Sequence, residues 1–204
     1  MSARHLYLAR HAEPDHHGSL TERGVQQAIA LGHRLSQVPL GSVLHGPLPR
    51  ATETARLVAG QLDHQLPLSE LDAAGDYVPH LPSPDEVDPA FRSGVMAFLS
   101  EVSAEEAVVG AKHASEAIRL LTPPEQTEED SHQLVVTHAF TIGWLVREVY
   151  GAAPWRWLGI DSCHAALTVI RCFADRPPAV AVFNDMSHLA PEHQWTGFPE
   201  HLRL

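Results

Sequence analysis

Hydrophobic positions along the chain follow two patterns. Short apolar runs that end in polar clusters are typical of buried strands, and apolar residues three and four positions apart are typical of amphipathic helices. The first pattern predicts strands over residues 6–9, 42–45, 65–71, 134–137, 165–172 and 179–183. The second predicts helices over residues 20–37, 50–62, 91–99, 105–121 and 139–150, with Thr21 as the N-cap of the first helix.

Strands and helices alternate through most of the chain, which predicts a mostly parallel sheet with helices on both faces. The fold class is therefore α/β, a three-layer α/β/α sandwich, and 204 residues form one domain over residues 1–204. The connection between the last two predicted strands is short enough for them to form a hairpin. Proline- and acid-rich segments at 73–89 and 122–132 are predicted loops, and the tail after Asn184 is predicted to be irregular.

Composition narrows the possible partners. Lys and Arg number 14 against 25 Asp and Glu, a formal net charge of −11, which argues against a basic surface for nucleic acid or membranes. The sequence shows neither a signal-peptide pattern nor an apolar run long enough to span a bilayer. Cys163 and Cys172 are expected to be reduced. We therefore expect a cytoplasmic protein without a nucleic-acid or membrane partner, and the sequence leaves its oligomeric state open.

Basic side chains follow three of the predicted strands. Arg10 and His11 come directly after the first strand, His138 follows strand 134–137, and Arg50 opens the helix after strand 42–45. In parallel sheets, ligands bind beyond the carboxyl ends of the strands, so these four side chains should meet at one edge. The sequence thus predicts two imidazoles and two guanidiniums around one point.

Such a cluster suits phosphoryl transfer. Guanidinium groups bind phosphate oxygens in a fork, and a neutral imidazole can attack phosphorus. A carboxylic acid nearby would protonate the leaving alkoxide. A metal site is the rival interpretation of a chain with 15 His. Arginines beside both histidines oppose a cation, and neither a Cys cluster nor a His-x-x-x-His pair with Glu occurs, so no metal or other cofactor is expected.

Four sequence blocks in this order resemble the histidine phosphatase superfamily, the phosphoglycerate mutase-like proteins. They are LARHAE at 8–13, LTERGVQQA at 20–28, LPRATETA at 48–55 and VVTH at 135–138. The resemblance covers the first sixty residues closely and the core to about residue 150. It implies a phosphoglycerate mutase-like fold. It also implies that His11 is the nucleophile, that Arg10 and Arg50 bind phosphate, and that His138 is the second catalytic histidine.

The chain departs from the family pattern at several positions. Ala12 and Ala139 stand where small residues, usually glycine after the first histidine, follow the two histidines. A phosphate-contacting Asn of the family has no clear counterpart, although His16, His17 and Ser19 lie in the corresponding loop. The family's acid follows the third strand, where Glu70, Asp72 and Asp76 compete. Asp76, nine residues beyond Pro67, is the favoured proton donor.

These expectations combine into one functional hypothesis with two alternatives. The hypothesis is a metal-independent phosphatase that hydrolyses a small phosphomonoester or a phosphoprotein through a phosphohistidine on His11. A mutase-type phosphoryl transferase comes second, because the chain is short and an extra substrate-binding insertion is hard to find. A non-catalytic phosphate- or phosphoprotein-binding module is the third, supported by Ala12 and Ala139. The remaining histidines are expected mostly on the surface. Trp155, Trp157 and Trp195 are expected in aromatic packing or along a substrate pocket.

Overall fold

A computed structural model describes residues 2–63, 65–122, 129–198 and 200–203 of the chain. It contains a six-stranded sheet. The strands are β1 (Ala3–Arg10), β2 (Ser42–His45), β3 (Leu68–Glu70), β4 (Ser131–Thr137), β5 (Leu167–Phe173) and β6 (Ala179–Asp185). The α-helices are α1 (Glu22–Leu35), α2 (Pro49–Ala59), α3 (Arg92–Phe98), α4 (Ala104–Leu121) and α5 (Ala139–Val149).

The sheet has the strand order β3-β2-β4-β1-β5-β6. Pairs β2/β3, β2/β4 and β1/β4 are parallel, and pairs β1/β5 and β5/β6 are antiparallel. The prediction of a mostly parallel sheet with a terminal hairpin is confirmed. The antiparallel β5 has a consequence for the site, because its first residues lie at the same edge as the last residues of β1.

Helices cover both faces of the sheet. On one face, α4 and α5 pack against Leu6, Leu8 and Val135 through a fully buried apolar cluster. On the other face, α1 and α2 pack against Val43 and Val136. The side chains alternate between these clusters along each strand, as the pleat requires. The predicted three-layer α/β/α arrangement is confirmed.

Local sequence explains where the helices near the site begin. Thr21 caps α1 as predicted, since its hydroxyl accepts a hydrogen bond from the Gly24 amide at 3.0 Å. Pro49 opens α2, where its missing N–H and fixed φ cost nothing. Helix α5 begins directly after His138, which occupies the N-cap position. Both α2 and α5 therefore start at the edge where their preceding strands end.

Several predicted boundaries are wrong by a few residues. Strand β1 begins at Ala3 and β4 at Ser131, because backbone pairing with neighbours extends both strands into polar sequence. The first two helices are shorter than predicted, and α2 stops at Ala59 before Gly60. Short 3₁₀ turns interrupt the predicted loop at Asp72–Ala74 and Pro84–Glu86. Within the predicted loop 122–132, residues 123–128 lie outside the described residues.

The tail after β6 has little regular structure, as predicted, but it is packed. Met186 and Leu189 are buried with Ala12 and Ala28, and Trp195 packs against the same cluster. Trp155 and Trp157 are buried near α5, and Trp157 packs edge-on against Phe140 at 4.8 Å between ring centroids. None of the helices in the described ranges is long and apolar enough to cross a membrane.

Close packing makes one glycine of α1 sensitive to substitution. A methyl group on Gly24 would overlap the carbonyl oxygen of Glu13, in the loop after β1. We expect Gly24→Ala to lower the free energy of unfolding by about 1–3 kcal/mol, measured by urea denaturation. Gly94, exposed within α3, has no atom within 4 Å of an added methyl and serves as the control. Gly94→Ala should instead gain about 0.5–1 kcal/mol, and an equal loss at both positions would refute the packing argument.

Candidate active site

The parallel register of β1 and β4 brings two of the predicted site histidines together. Arg10 is the register partner of Thr137, so the following residues, His11 and His138, are neighbours. Their ring centroids lie 5.0 Å apart. Strand β2 pairs with the other side of β4, and the turn after it brings Arg50 to the same edge. The structure therefore collects Arg10, His11, Arg50 and His138 at one rim of the sheet.

The hydrogen bonds of His11 fix its orientation. The side chain is 4% exposed, and the backbone amide donates to the Thr137 carbonyl at 2.8 Å. Nδ1 lies 2.8 Å from the Ala12 carbonyl oxygen, so this nitrogen carries the proton. Nε2 accepts a hydrogen bond from Nε of Arg50 at 3.1 Å. The imidazole thus presents an unprotonated Nε2 next to a guanidinium.

Asp76 is the candidate acid that reaches this cluster. Its Oδ2 lies 2.7 Å from Nη2 of Arg50 and 3.6 Å from Nδ1 of His138. Glu70 and Asp72 are exposed, and among the described residues neither carboxylate forms a hydrogen bond or ion pair with the four basic side chains. The structure therefore favours Asp76 among the three acids that the sequence left in competition.

Two threonine hydroxyls position the segment before Asp76. Thr137, the last residue of β4, donates to the Ala74 carbonyl at 2.7 Å, and Thr141 in α5 donates to the Gly75 carbonyl at 2.7 Å. Both hydroxyls are buried, where hydrogen bonds between protein groups avoid the cost of unpaired polar atoms. The loop that carries Asp76 is thereby fixed to the same two elements that position His138.

Both histidines are neutral at physiological pH. Burial, with a smaller effect from His138, lowers the pKa of His11 to about 2. Burial and the nearby guanidiniums lower the pKa of His138 to about 3. A neutral imidazole keeps a lone pair for nucleophilic attack. The positive charge at the rim therefore comes from Arg10 and Arg50.

Several buried polar atoms at this rim have no hydrogen-bond partner among the described residues. They are both ring nitrogens of His138, Nε of Arg10 and Oγ of Ser162. Nη1 of Arg10 donates to the Ser162 carbonyl at 2.7 Å, which holds the guanidinium in place. Unpaired buried donors are costly unless a ligand satisfies them. An anion with several acceptor oxygens, such as a phosphate group, fits this requirement.

The two alanines that depart from the family pattern are accommodated without blocking the rim. Ala12 is fully buried, and its methyl group packs in the cluster with Ala28 and Cys163. Its amide donates to Oγ1 of Thr54 at 3.0 Å. Ala139 begins α5 and remains partly exposed. Ala12 therefore has a packing role that the sequence alone did not show.

A third histidine belongs to the rim although the prediction placed it on the surface. His164 is 8% exposed, and its ring centroid lies 5.3 Å from that of His11. Its Nδ1 lies 3.2 Å from Oγ1 of Thr196 in the packed tail, and burial lowers its pKa to about 2. The sequence feature that could have identified His164 as a site residue is its position just before the antiparallel β5. His45 is also buried, with Nδ1 2.8 Å from the Gly46 carbonyl, so its predicted surface position is wrong too.

The buried neutral histidines should make stability depend on pH. An unfolded histidine binds a proton below about pH 6.5, whereas His164 in the fold stays neutral, so stability is full above that pH and falls as the pH drops. Each such histidine contributes a slope of about 1.4 kcal/mol per pH unit. We expect His164→Gln to reduce the slope of unfolding free energy between pH 6 and 5 by about this amount, measured by urea denaturation.

The control for this prediction is His33→Gln, because His33 is exposed on α1. Comparison of slopes, rather than of absolute stabilities, removes the packing cost of the substitution at 164. A slope in His164→Gln equal to that of the original chain would contradict a neutral buried imidazole at this position.

Part of the chain matches a known protein family. Residues 6–77 match the family model described as histidine phosphatase superfamily (branch 1). The mitochondrial serine/threonine-protein phosphatase Pgam5 of Caenorhabditis briggsae is 27% identical over 200 residues. That alignment covers 93% of this chain and 66% of the relative, so the chain spans slightly less than two thirds of the relative's length.

Solved structures show the same fold. YhfR of Bacillus stearothermophilus superposes with a TM-score of 0.69 at 24% identity, covering 92% of this chain and 100% of that one. A phosphoglycerate mutase from Plasmodium falciparum superposes with a TM-score of 0.59 at 17% identity, covering 90% of this chain and 91% of that one. Residues 6–77 thus resemble the histidine phosphatase superfamily, and the chain as a whole shares the α/β architecture of these solved structures.

Proposed function

We propose that this chain is a metal-independent phosphomonoester hydrolase that forms a phosphohistidine on His11. The observation that carries the proposal is the state of the His11 ring. It is buried and neutral, its Nδ1 is bonded to a backbone carbonyl, and its Nε2 faces the Arg50 guanidinium. An attacking nitrogen and a phosphate-binding cation therefore stand side by side.

A substrate phosphate would occupy the space between the two arginines and His138. There it accepts hydrogen bonds from Arg50 and from the unpaired Nε of Arg10. The Nε of Arg50 that now donates to His11 turns to a phosphate oxygen, which frees the lone pair on Nε2. No metal ion is needed to balance the phosphate charge, since two guanidiniums supply it.

In the first chemical step, Nε2 of His11 forms a bond to phosphorus while the ester P–O bond breaks. The proton stays on Nδ1, which donates to the Ala12 carbonyl, and this hydrogen bond stabilises the positive charge that develops on the ring. Asp76, protonated, gives its proton to the leaving oxygen.

In the second step, water hydrolyses the phosphohistidine. The Asp76 carboxylate takes a proton from water as the water oxygen bonds to phosphorus, and the N–P bond breaks. Inorganic phosphate leaves, His11 is neutral again and Asp76 carries a proton for the next cycle. Arg10, Arg50 and His138 contact the phosphoryl oxygens in both steps, where charge spreads over them.

The space beside Asp76 indicates what kind of alcohol leaves. A cavity of about 510 Å³ begins at Asp76 and is lined by apolar side chains and two acids. Its lining includes Tyr77, Val78, Val109, Phe140, Glu105 and Glu106. Carboxylates here repel anionic leaving groups, which argues against phosphoglycerate as the substrate. A phosphoester of an uncharged or cationic alcohol, free or on a protein side chain, fits this cavity. A cytoplasmic location stays a prediction.

Loss of the nucleophile tests the proposal directly. The purified chain should hydrolyse p-nitrophenyl phosphate in excess chelator, as measured by the absorbance of the nitrophenol product. His11→Ala should abolish this activity. A phosphoenzyme that is stable in alkali and labile in acid should form in the original chain and be absent in the variant, as an alkaline quench of a reaction with labelled substrate would show.

The alternatives predict different results in the same experiment. A mutase would transfer the phosphoryl group to an added alcohol rather than to water. A binding module would neither turn over substrate nor form a phosphoenzyme across a panel of phosphoesters, although it would still bind phosphate. Activity that disappears with chelator and returns with a divalent metal would contradict the metal-independent mechanism.

The role of Asp76 predicts a dependence on the leaving group. With an alkyl phosphate, whose alkoxide needs a proton, Asp76→Asn should lower kcat by about 10²–10⁴-fold. With p-nitrophenyl phosphate, the kcat of the same variant should fall far less. On this substrate Arg50→Ala should lower the activity more than Asp76→Asn does. Equal losses on both substrates would remove Asp76 from the acid role, and Glu70→Gln is the matched control that should leave both rates unchanged.

A further inference from the structure

A second cluster of titratable side chains lies at the opposite edge of the sheet, where β1 and β4 begin. It consists of His5, Asp130 and His132, and each contributes one potential ligand atom within 4.8 Å of the others. His5 and His132 are register partners in the parallel β1/β4 pair. Five residues of strand, about 17 Å, separate His5 from Arg10. This cluster is therefore distinct from the proposed phosphate site.

The spacing of the three side chains suits a transition metal. Nε2 of His5 lies 3.3 Å from Oδ2 of Asp130. The rings of His5 and His132 are stacked, with centroids 4.4 Å apart and an angle of 8° between their planes. Ligands about 2.0–2.2 Å from a tetrahedral zinc ion lie about 3.3–3.6 Å from each other. Small side-chain rotations would therefore bring all three groups onto one ion.

Neighbouring groups hold two of these side chains in place. The Tyr7 hydroxyl lies 3.1 Å from Nδ1 of His132, which leaves Nε2 of that ring for a metal ion. The backbone amide of Ala3 donates to Oδ1 of Asp130 at 2.8 Å, which leaves Oδ2. Partners of this kind orient metal ligands and raise affinity. The arrangement thus has the outer hydrogen bonds that a purely incidental group of side chains lacks.

The surrounding charges permit a cation here. Arg4 is engaged with Oε1 of Gln133 at 2.6 Å, and Arg171, the register partner of His5 on β5, is exposed to solvent. An open cavity of about 400 Å³ adjoins Asp130 and His132 and has room for water ligands.

We propose that His5, Asp130 and His132 bind one divalent transition-metal ion of the zinc class, with water in the remaining position. Two imidazoles and one carboxylate favour such an ion over magnesium or calcium, which prefer oxygen ligands. On binding, His5 carries its proton on Nδ1 and coordinates through Nε2. The ion connects the start of β1 to the start of β4, so it stabilises the fold and takes no part in the proposed hydrolysis.

Cobalt and zinc titrations of the untagged, chelator-treated chain test the proposal. Co²⁺ should bind with one equivalent at pH 7.5 and give the visible absorption of a tetrahedral site, and Zn²⁺ should displace it and raise the melting temperature. His132→Asn and His5→Asn should each abolish the stoichiometric complex, and Tyr7→Phe should weaken binding about 10-fold. His33→Asn, which removes an exposed histidine from α1, should bind as the original chain does.

Three results would overturn the proposal. The first is that the original chain forms no stoichiometric complex. The second is that His132→Asn and His5→Asn both fold normally by circular dichroism and bind the metal unchanged. The third is that His11→Asn loses binding instead. The last result would place the ion at the rim with the neutral histidines. Phosphatase activity in excess chelator is measured separately, so failure of the metal site leaves the proposed function untouched.

Discussion

The parallel pairing of β1 with β4 is the interaction on which the rest of the site depends. The register that joins Arg10 to Thr137 places the two histidines that follow these strands next to each other. The amide of His11 donates to the Thr137 carbonyl, so the ladder continues one residue into the site. A shift of one residue would turn every side chain of β1 to the other face and remove Leu6 and Leu8 from the cluster that α4 and α5 cover. Burial of the core therefore also secures the geometry of the nucleophile.

The charges at the rim are unbalanced in a way that favours a phosphate. Among the described residues, Arg50 forms an ion pair with Asp76, Arg10 interacts electrostatically with Asp76 and Asp161, and the neighbouring imidazoles are neutral because they are buried. Burial lowers the pKa of Arg10 as well, although Asp76 partly offsets this effect. A chain with a net charge of −11 thus concentrates positive charge at one small place, and a bound phosphate relieves the cost of keeping it there.

Sequence reasoning predicted the part of the site that parallel strands build. Arg10, His11 and His138 follow strands directly, and Arg50 opens a helix after one, so the carboxyl-end rule finds all four. The same rule misses His164, because this residue precedes an antiparallel strand. It also misses the tail contacts, because no periodic pattern predicts where an irregular segment packs. Asp76 stayed in competition with Glu70 and Asp72 since its position depends on two threonine hydroxyls that bond to the loop.

The packed tail completes the anion site from far along the chain. Arg10 donates to the carbonyl of Ser162 and approaches that of Gly197, while Thr196 contacts both His164 and the buried amide of Gln27. Gly197 has a φ of +85°, and a methyl group there would come within 2.6 Å of the Arg10 guanidinium. The guanidinium is therefore oriented only once segments more than 150 residues away have docked. The pairing of β1 with β4 and β5 closes loops of similar length, so the sheet and the phosphate site depend on the same long-range contacts.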